Sequence, residues 1–126
     1  MKKIIMMLTL LFLVACSNNE GETLNFQGES ENWKVNFTSV DTGSSSQNTS
    51  YTIVYIGSDT APETFDYNLS ATPSQKDFGE TNAKLNKDGL KEGKEINKGS
   101  KVQKDEIIVV ELNWDGKTEK VELAPK

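Results

Sequence analysis

The 126-residue chain predicts an all-β domain, an antiparallel immunoglobulin-like β-sandwich of about 6–8 strands, with a small β-barrel as the second architecture. Three observations predict it. Apolar residues recur with a period of two, as in "NWKVNF", where Trp33, Val35 and Phe37 alternate with polar neighbours. An Asp-Gly pair, Asp115-Gly116, divides two alternating runs near the C-terminus. The lysine-rich stretch over residues 84–104 contains Gly89, Gly93 and Gly99 and no opposing apolar stripe, which argues against a helix there.

The first element precedes the domain. Met1-Lys2-Lys3 is followed by an almost unbroken apolar run over residues 4–14. A membrane-spanning helix needs roughly 20 such residues, so this shorter run with lysines before it reads as an export signal. It ends in Leu13-Val14-Ala15-Cys16, which resembles the lipobox of bacterial lipoproteins. The resemblance implies that Cys16 receives a diacylglyceryl group and that the chain is cut just before it. Residues 1–15 are then a signal peptide. Independently of that resemblance, Cys16 is the only cysteine, and a lone thiol has no disulfide partner in the oxidising compartment an exported chain enters. More than one acyl chain on one residue gives stable anchoring where a single chain does not. The expected location is the outer face of the plasma membrane.

Residues 16–22, small and polar, read as a tether, and residues 23–126 as the folded domain. "NWKVNFTSV" is expected to be a half-buried strand with Trp33 in the core. The polar "DTGSSSQNTS" after Val40 reads as a long connection at the end of the fold. "YTIVYIG", apolar at most positions, reads as a central strand covered on both faces, and "TFDYNLS" as another alternating strand. Residues 77–106 read as short strands joined by turns, "NKDG" among them. In the closing hairpin, a two-residue turn sets the register: Trp114 opposite Lys117, Glu111 opposite Lys120, Val110 opposite Val121 and Ile108 opposite Leu123. Like meets like and charge meets opposite charge, and a one-residue slip would lose both.

"GESENWKVNF", "NAKLNKDGLK" and "ELNWDGKTEKVEL", together with the lipobox, resemble a group of small lipoproteins from Bacillus-type Gram-positive bacteria. The likeness runs over nearly the whole chain. It implies an extracytoplasmic lipoprotein with a β-sandwich domain and assigns no substrate and no catalytic residue.

Absences narrow the chemistry further. The chain has no histidine and no arginine, so neither imidazole acid–base catalysis nor bidentate phosphate recognition is available to it. After residue 15 there are 12 lysines against 19 acids, a net charge of −7, which argues against nucleic acid as a partner. No pair of carboxylates stands out by spacing. The expectation is therefore a non-enzymatic chain without a cofactor, an accessory or binding module of the cell envelope. Its expected partners are the lipid membrane through acylated Cys16 and an envelope protein or anionic envelope polymer.

Charge is unevenly spread, and residues 84–104 hold seven lysines against three acids. Lys91, Lys94 and Lys98 in this stretch, with Trp114 beside the hairpin turn, are the candidate contact residues. The alternative function is binding of a small ligand or a cation. Ca²⁺ needs only oxygen donors, and Asn86, Asp88, Glu92 and Glu95 follow part of the spacing of an EF-hand loop, although Lys84 stands where the first carboxylate belongs. Zinc and copper are disfavoured by the lack of histidine.

Cys16→Ser is expected to abolish incorporation of a palmitate analogue and to block removal of residues 1–15. Metabolic labelling and a gel-shift assay of processing check both, and unchanged labelling would overturn the assignment of Cys16.

Overall fold

A computed structural model describes residues 22–43 and 46–126, and they are all strand, turn and connection, with no helix among them. The described residues form eight strands: β1 (Thr23–Glu29), β2 (Trp33–Asp41), β3 (Ser46–Tyr55), β4 (Phe65–Thr72), β5 (Lys76–Ala83), β6 (Leu90–Lys98), β7 (Ile107–Trp114) and β8 (Lys117–Pro125). All neighbours are antiparallel, in the order β5-β4-β7-β8-β1-β2-β3-β6. The eight strands form one nearly closed sheet, so the all-β antiparallel expectation holds in its barrel-like form.

The closing hairpin shows how local sequence dictates register. Asp115 and Gly116 have φ of 48° and 75°, the left-handed pair that a type I′ turn requires. Trp114 lies opposite Lys117, Glu111 opposite Lys120, Val110 opposite Val121 and Ile108 opposite Leu123, as the spacing predicts. The "NKDG" turn also forms: Gly89 N–H donates to the Asn86 carbonyl at 2.9 Å, and Asn86 Oδ1 accepts from Asp88 N–H at 2.8 Å.

Strand β8 serves both halves of the sheet. Residues 117–123 pair with β7, and then only Ala124 and Pro125 pair with β1, opposite Gln27 and Phe26. β8 changes partner between Leu123 and Ala124, beside Gly28 of β1, where a Cβ would stand 2.2 Å from the Glu122 carbonyl oxygen. Only glycine admits that backbone approach.

Folding the sheet over brings the inner faces of its two halves together. Trp33 on β2, fully buried, meets Trp114 on β7 edge-to-face at 5.4 Å, Phe65 on β4 at 4.9 Å and Tyr55 on β3 at 5.1 Å. Val35, Phe37, Ile53, Leu69, Ile108, Val110 and Leu112 extend this core. β2, β3, β4 and β7 turn every second residue inward, as a one-sided strand must.

Two expectations about β3 need correction. Its apolar run is buried on one face only: Tyr51 and Ile53 point inward, while Thr52 and Val54 are half-buried and Ile56 is exposed. The reason is architecture, because the strands form a single sheet folded around its core and no second layer covers the outer face among the described residues. The polar "DTGSSSQNTS" is also not one long connection, since β2 extends to Asp41 and β3 begins at Ser46. Gln47 and Thr49 point inward there and are satisfied by hydrogen bonds instead of apolar contact. Asn97 Nδ2 donates to Gln47 Oε1 at 2.9 Å and to Thr49 Oγ1 at 3.2 Å, while the Val102 backbone both donates to Gln47 Oε1 at 2.9 Å and accepts from its Nε2 at 3.1 Å.

Two carboxylates fasten loops to this frame. Glu106, buried, accepts from Ser74 N–H at 2.7 Å and Gln103 N–H at 3.0 Å. Glu119 on β8 accepts from the Ser30 hydroxyl, from Asn32 N–H at 2.8 Å and from Asn32 Nδ2 at 2.9 Å, tying the β1–β2 turn to the opposite half of the sheet. Burial pushes the Glu119 carboxyl up, but those three hydrogen bonds favour its charged form and hold it below its ordinary value.

Gly28→Ala is expected to cost about 2 kcal/mol or more, because the strands must part where β8 crosses β1; equilibrium urea unfolding measures it. For Glu119 the depressed folded-state value means stability present above the unfolded carboxylate's range and lost as pH falls through the folded one. Urea midpoints are therefore expected to fall on acidification in the wild type and to depend less on pH in Glu119→Gln over the same acidic range.

Candidate functional site

The outer face of β2, β3 and β6 is the surface to which sequence and fold together direct attention. With inward positions taken by the core, the alternate residues of these strands stand outward in register. Asn36, Thr52 and Glu92 form one row, Thr38, Ser50 and Lys94 the next, and Val40, Asn48 and Ile96 the third. Lys98 follows on β6, opposite Ser46. Hydroxyls and amides thus form a flat array bordered by the charges of the end strand. Two shallow grooves run across it, one of about 270 Å³ along Asn36, Thr38, Thr52 and Glu92, and one of about 620 Å³ along Val40, Asn48 and Ile96. Lys94 lines both, and Ile96, 68% exposed, is the most exposed large apolar side chain among the described residues.

The sequence-predicted contact residues separate. Lys94 and Lys98 occupy this outer face and are exposed. Lys91, an odd number of residues from both, lies on the inner side of β6 and pairs with Glu80 of β5 at 2.8 Å. That hydrogen bond to Glu80, opposed by burial, raises the Lys91 amine above its ordinary value. Trp114 does not belong to a contact surface: it is 5% exposed, and its ring packs on Trp33. The hairpin register turns it inward with Leu112 and Val110, leaving Lys117 Nζ 5.9 Å from the ring centroid.

The oxygen donors proposed for Ca²⁺ are not brought together. Asn86 spends its side-chain oxygen on Asp88 N–H and Leu90 N–H within its own turn. Glu92 and Glu95 lie on a strand, three residues apart, and so face opposite sides of the sheet. Among the described residues no three His, Cys, Asp or Glu side chains form a cluster that could hold a metal ion. Cys16 and the lipobox residues Leu13, Val14 and Ala15 lie outside the described residues.

Three of the seven lysines of residues 84–104 meet a carboxylate. Besides Lys91, Lys101 bonds Asp41 Oδ1 at 2.8 Å, and Lys104 stands 3.9 Å from Glu22. The hydrogen bond from Lys101 and that from Gly43 N–H hold the Asp41 carboxyl below its ordinary value. These groups border a depression of about 470 Å³ at the end of the domain where residue 22 enters. Lys94 and Lys98 have no ion-pair partner among the described residues; nor do Lys84 and Lys87, which lie in the β5–β6 connection, or Lys34, which stands on the outer face opposite Val54.

Under the gap between β5 and β6 lies an aromatic group. The Tyr51 and Tyr67 hydroxyls bond at 2.8 Å, and Phe78 stacks on Tyr51 at 6.2 Å. Gly93 makes room for the Tyr51 ring, since a Cβ there would stand 2.1 Å from Tyr51 Cζ. Burial first, then the shared hydrogen bond, pushes the Tyr51 hydroxyl far above the ordinary tyrosine range, and burial likewise raises Tyr67. Both are neutral phenols whose hydrogen bond serves packing.

Compared with protein-family models, curated proteins and solved structures, the chain matches none. The outward row of Asn36 and Thr38 was legible as the polar half of the alternation in "NWKVNFTSV". Asn48 and Ser50 were not, because the inward residues between them, Gln47 and Thr49, are polar too and break the alternating pattern.

Proposed function

We propose that this chain is a lipid-anchored, non-catalytic binding module displayed outside the plasma membrane, which holds an anionic envelope polymer on the outer face of β2, β3 and β6. The observation that carries this reading is the placement of the unpaired Lys94 and Lys98 beside a flat array of Asn, Ser and Thr side chains. Lysine attracts phosphate as a point charge, and the neighbouring amides and hydroxyls can accept and donate to polyol hydroxyls. The face is open and shallow, which suits a long polymer better than an enclosed small molecule. Acylation of Cys16 would hold the module close to its ligand, raising the effective concentration on the membrane.

The probe is soluble poly(glycerol phosphate), added to the full chain in an uncharged detergent and followed by calorimetry. Binding is expected to weaken with salt, and Lys98→Glu to weaken it about fivefold, given roughly 1 kcal/mol per lysine at an anionic surface. Equal affinity of Lys98→Glu and the wild type, or no binding at low salt, would remove the polymer; capture of an envelope protein instead would move the reading to a protein partner.

A further inference from the structure

Strand β6 ends the sheet, with β3 on one side and no hydrogen-bonded strand on the other. β5, at the opposite end of the sheet, reaches it through side chains, Lys91 to Glu80 at 2.8 Å and Lys76 Nζ to the Lys98 carbonyl at 3.3 Å. On that free side the Leu90 backbone is taken by its own turn, its carbonyl by Asn86 N–H at 2.8 Å and its N–H by Asn86 Oδ1 at 3.1 Å. Alternation along the strand then points the N–H and C=O of Glu92, Lys94 and Ile96 to the same free side. Such an edge is a template for another strand unless something deters it.

The sequence of this edge is complementary to itself when reversed. Residues 90–96 read Leu-Lys-Glu-Gly-Lys-Glu-Ile. Laid antiparallel on a second copy about a two-fold axis through Gly93, Leu90 faces Ile96, Lys91 faces Glu95 once it gives up Glu80 of its own copy, and Glu92 faces Lys94, each pair occurring twice. Every apolar residue meets an apolar one, and every charge meets its opposite. The faces agree as well: Leu90, Glu92, Lys94 and Ile96 stand outward, while Lys91 and Glu95 stand inward. Since the free ladder groups of Glu92 and Lys94 would oppose one another, the two Glu92–Lys94 pairs are the hydrogen-bonded ones. Neighbouring registers fail. A two-fold axis through Lys94 sets Lys94 against itself, and one through Glu92 sets Glu92 against itself.

We infer that β6 is a homodimerisation edge, pairing antiparallel with β6 of a second copy about Gly93. The charges that deter foreign strands admit its own copy, so the same residues supply both attraction and selectivity. The interface is isologous and closes at two copies. Ile96, otherwise the most exposed large apolar side chain among the described residues, gains a partner in Leu90 of the second copy. The outer faces of the two copies then run on as one continuous sheet, in which Lys94 is taken by Glu92 of the second copy and Lys98, outside the paired residues, is the β6 lysine that stays open to an anion. The inference does not depend on what that face binds.

Sedimentation equilibrium of the full chain in uncharged detergent, at low salt and without polymer, tests it. A reversible monomer–dimer equilibrium is expected for the wild type. Glu92→Lys and Lys94→Glu each place like charges opposite one another twice and are expected to weaken the dimer by about tenfold or more. An equimolar mixture of the two variants is expected to restore it, because each copy then faces the opposite charge at both positions. The double variant Glu92→Lys/Lys94→Glu is expected to dimerise like the wild type. Both positions are exposed, and an unchanged far-ultraviolet circular dichroism spectrum confirms that the variants are folded. A wild type that stays monomeric to about 100 μM, a dimer indifferent to the single reversals, or a mixture that fails to recover would each overturn the inference.

Discussion

The contact of Trp33 with Trp114 is the interaction on which the rest of the fold depends. One ring comes from β2 and the other from β7, strands three places apart in the sheet order, so the two can meet only if the sheet folds over on itself. Phe65 and Tyr55 complete the cluster around Trp33. An aromatic side chain buries more apolar area than any aliphatic one, and in a domain of roughly a hundred residues a few such rings supply a large share of the core. Strand β8 makes the folding-over geometrically feasible by changing partner from β7 to β1, and Gly28 supplies the clearance at the change.

Folding the sheet over leaves its two ends facing each other without joining. β5 and β6 touch through Lys91–Glu80 and through Lys76 against a backbone carbonyl, and the Tyr51, Tyr67 and Phe78 rings fill the space beneath. The outer face of β2, β3 and β6 is what remains after the inner face has been spent on the core. Its polar character follows from the same alternation that makes the core apolar, so a flat polar platform and a dry interior are two consequences of one pattern. What the platform binds is then a matter of which charges the end strand leaves unpaired.

The carboxylates illustrate how little of the polar architecture is visible before folding. Glu106 and Glu119 read as ordinary surface acids in the sequence. One is buried among backbone donors, and the other holds the turn at Ser30 and Asn32 across a separation of 87 residues to the asparagine. The Gln47–Asn97–Val102 cluster is of the same kind. Such long-range hydrogen bonds leave no periodic trace, because a donor and an acceptor need only meet in space. The period-two burial of β2 and β4 does leave one, since every second residue of a strand shares a face whatever the tertiary arrangement.

The sequence by itself determined the fold class, the register of the closing hairpin, the burial of Trp33 and the turn at Asn86–Gly89. Each is a local property, set by residue alternation or by the φ that a short turn demands. Only the tertiary structure decided that the eight strands form one sheet, that Trp114 faces the core, that Lys91 points away from Lys94 and Lys98, and that β3 is covered on one side. These depend on which strand lies beside which, and strand order is chosen by the burial of rings far apart in the chain, a global balance that no window of sequence contains.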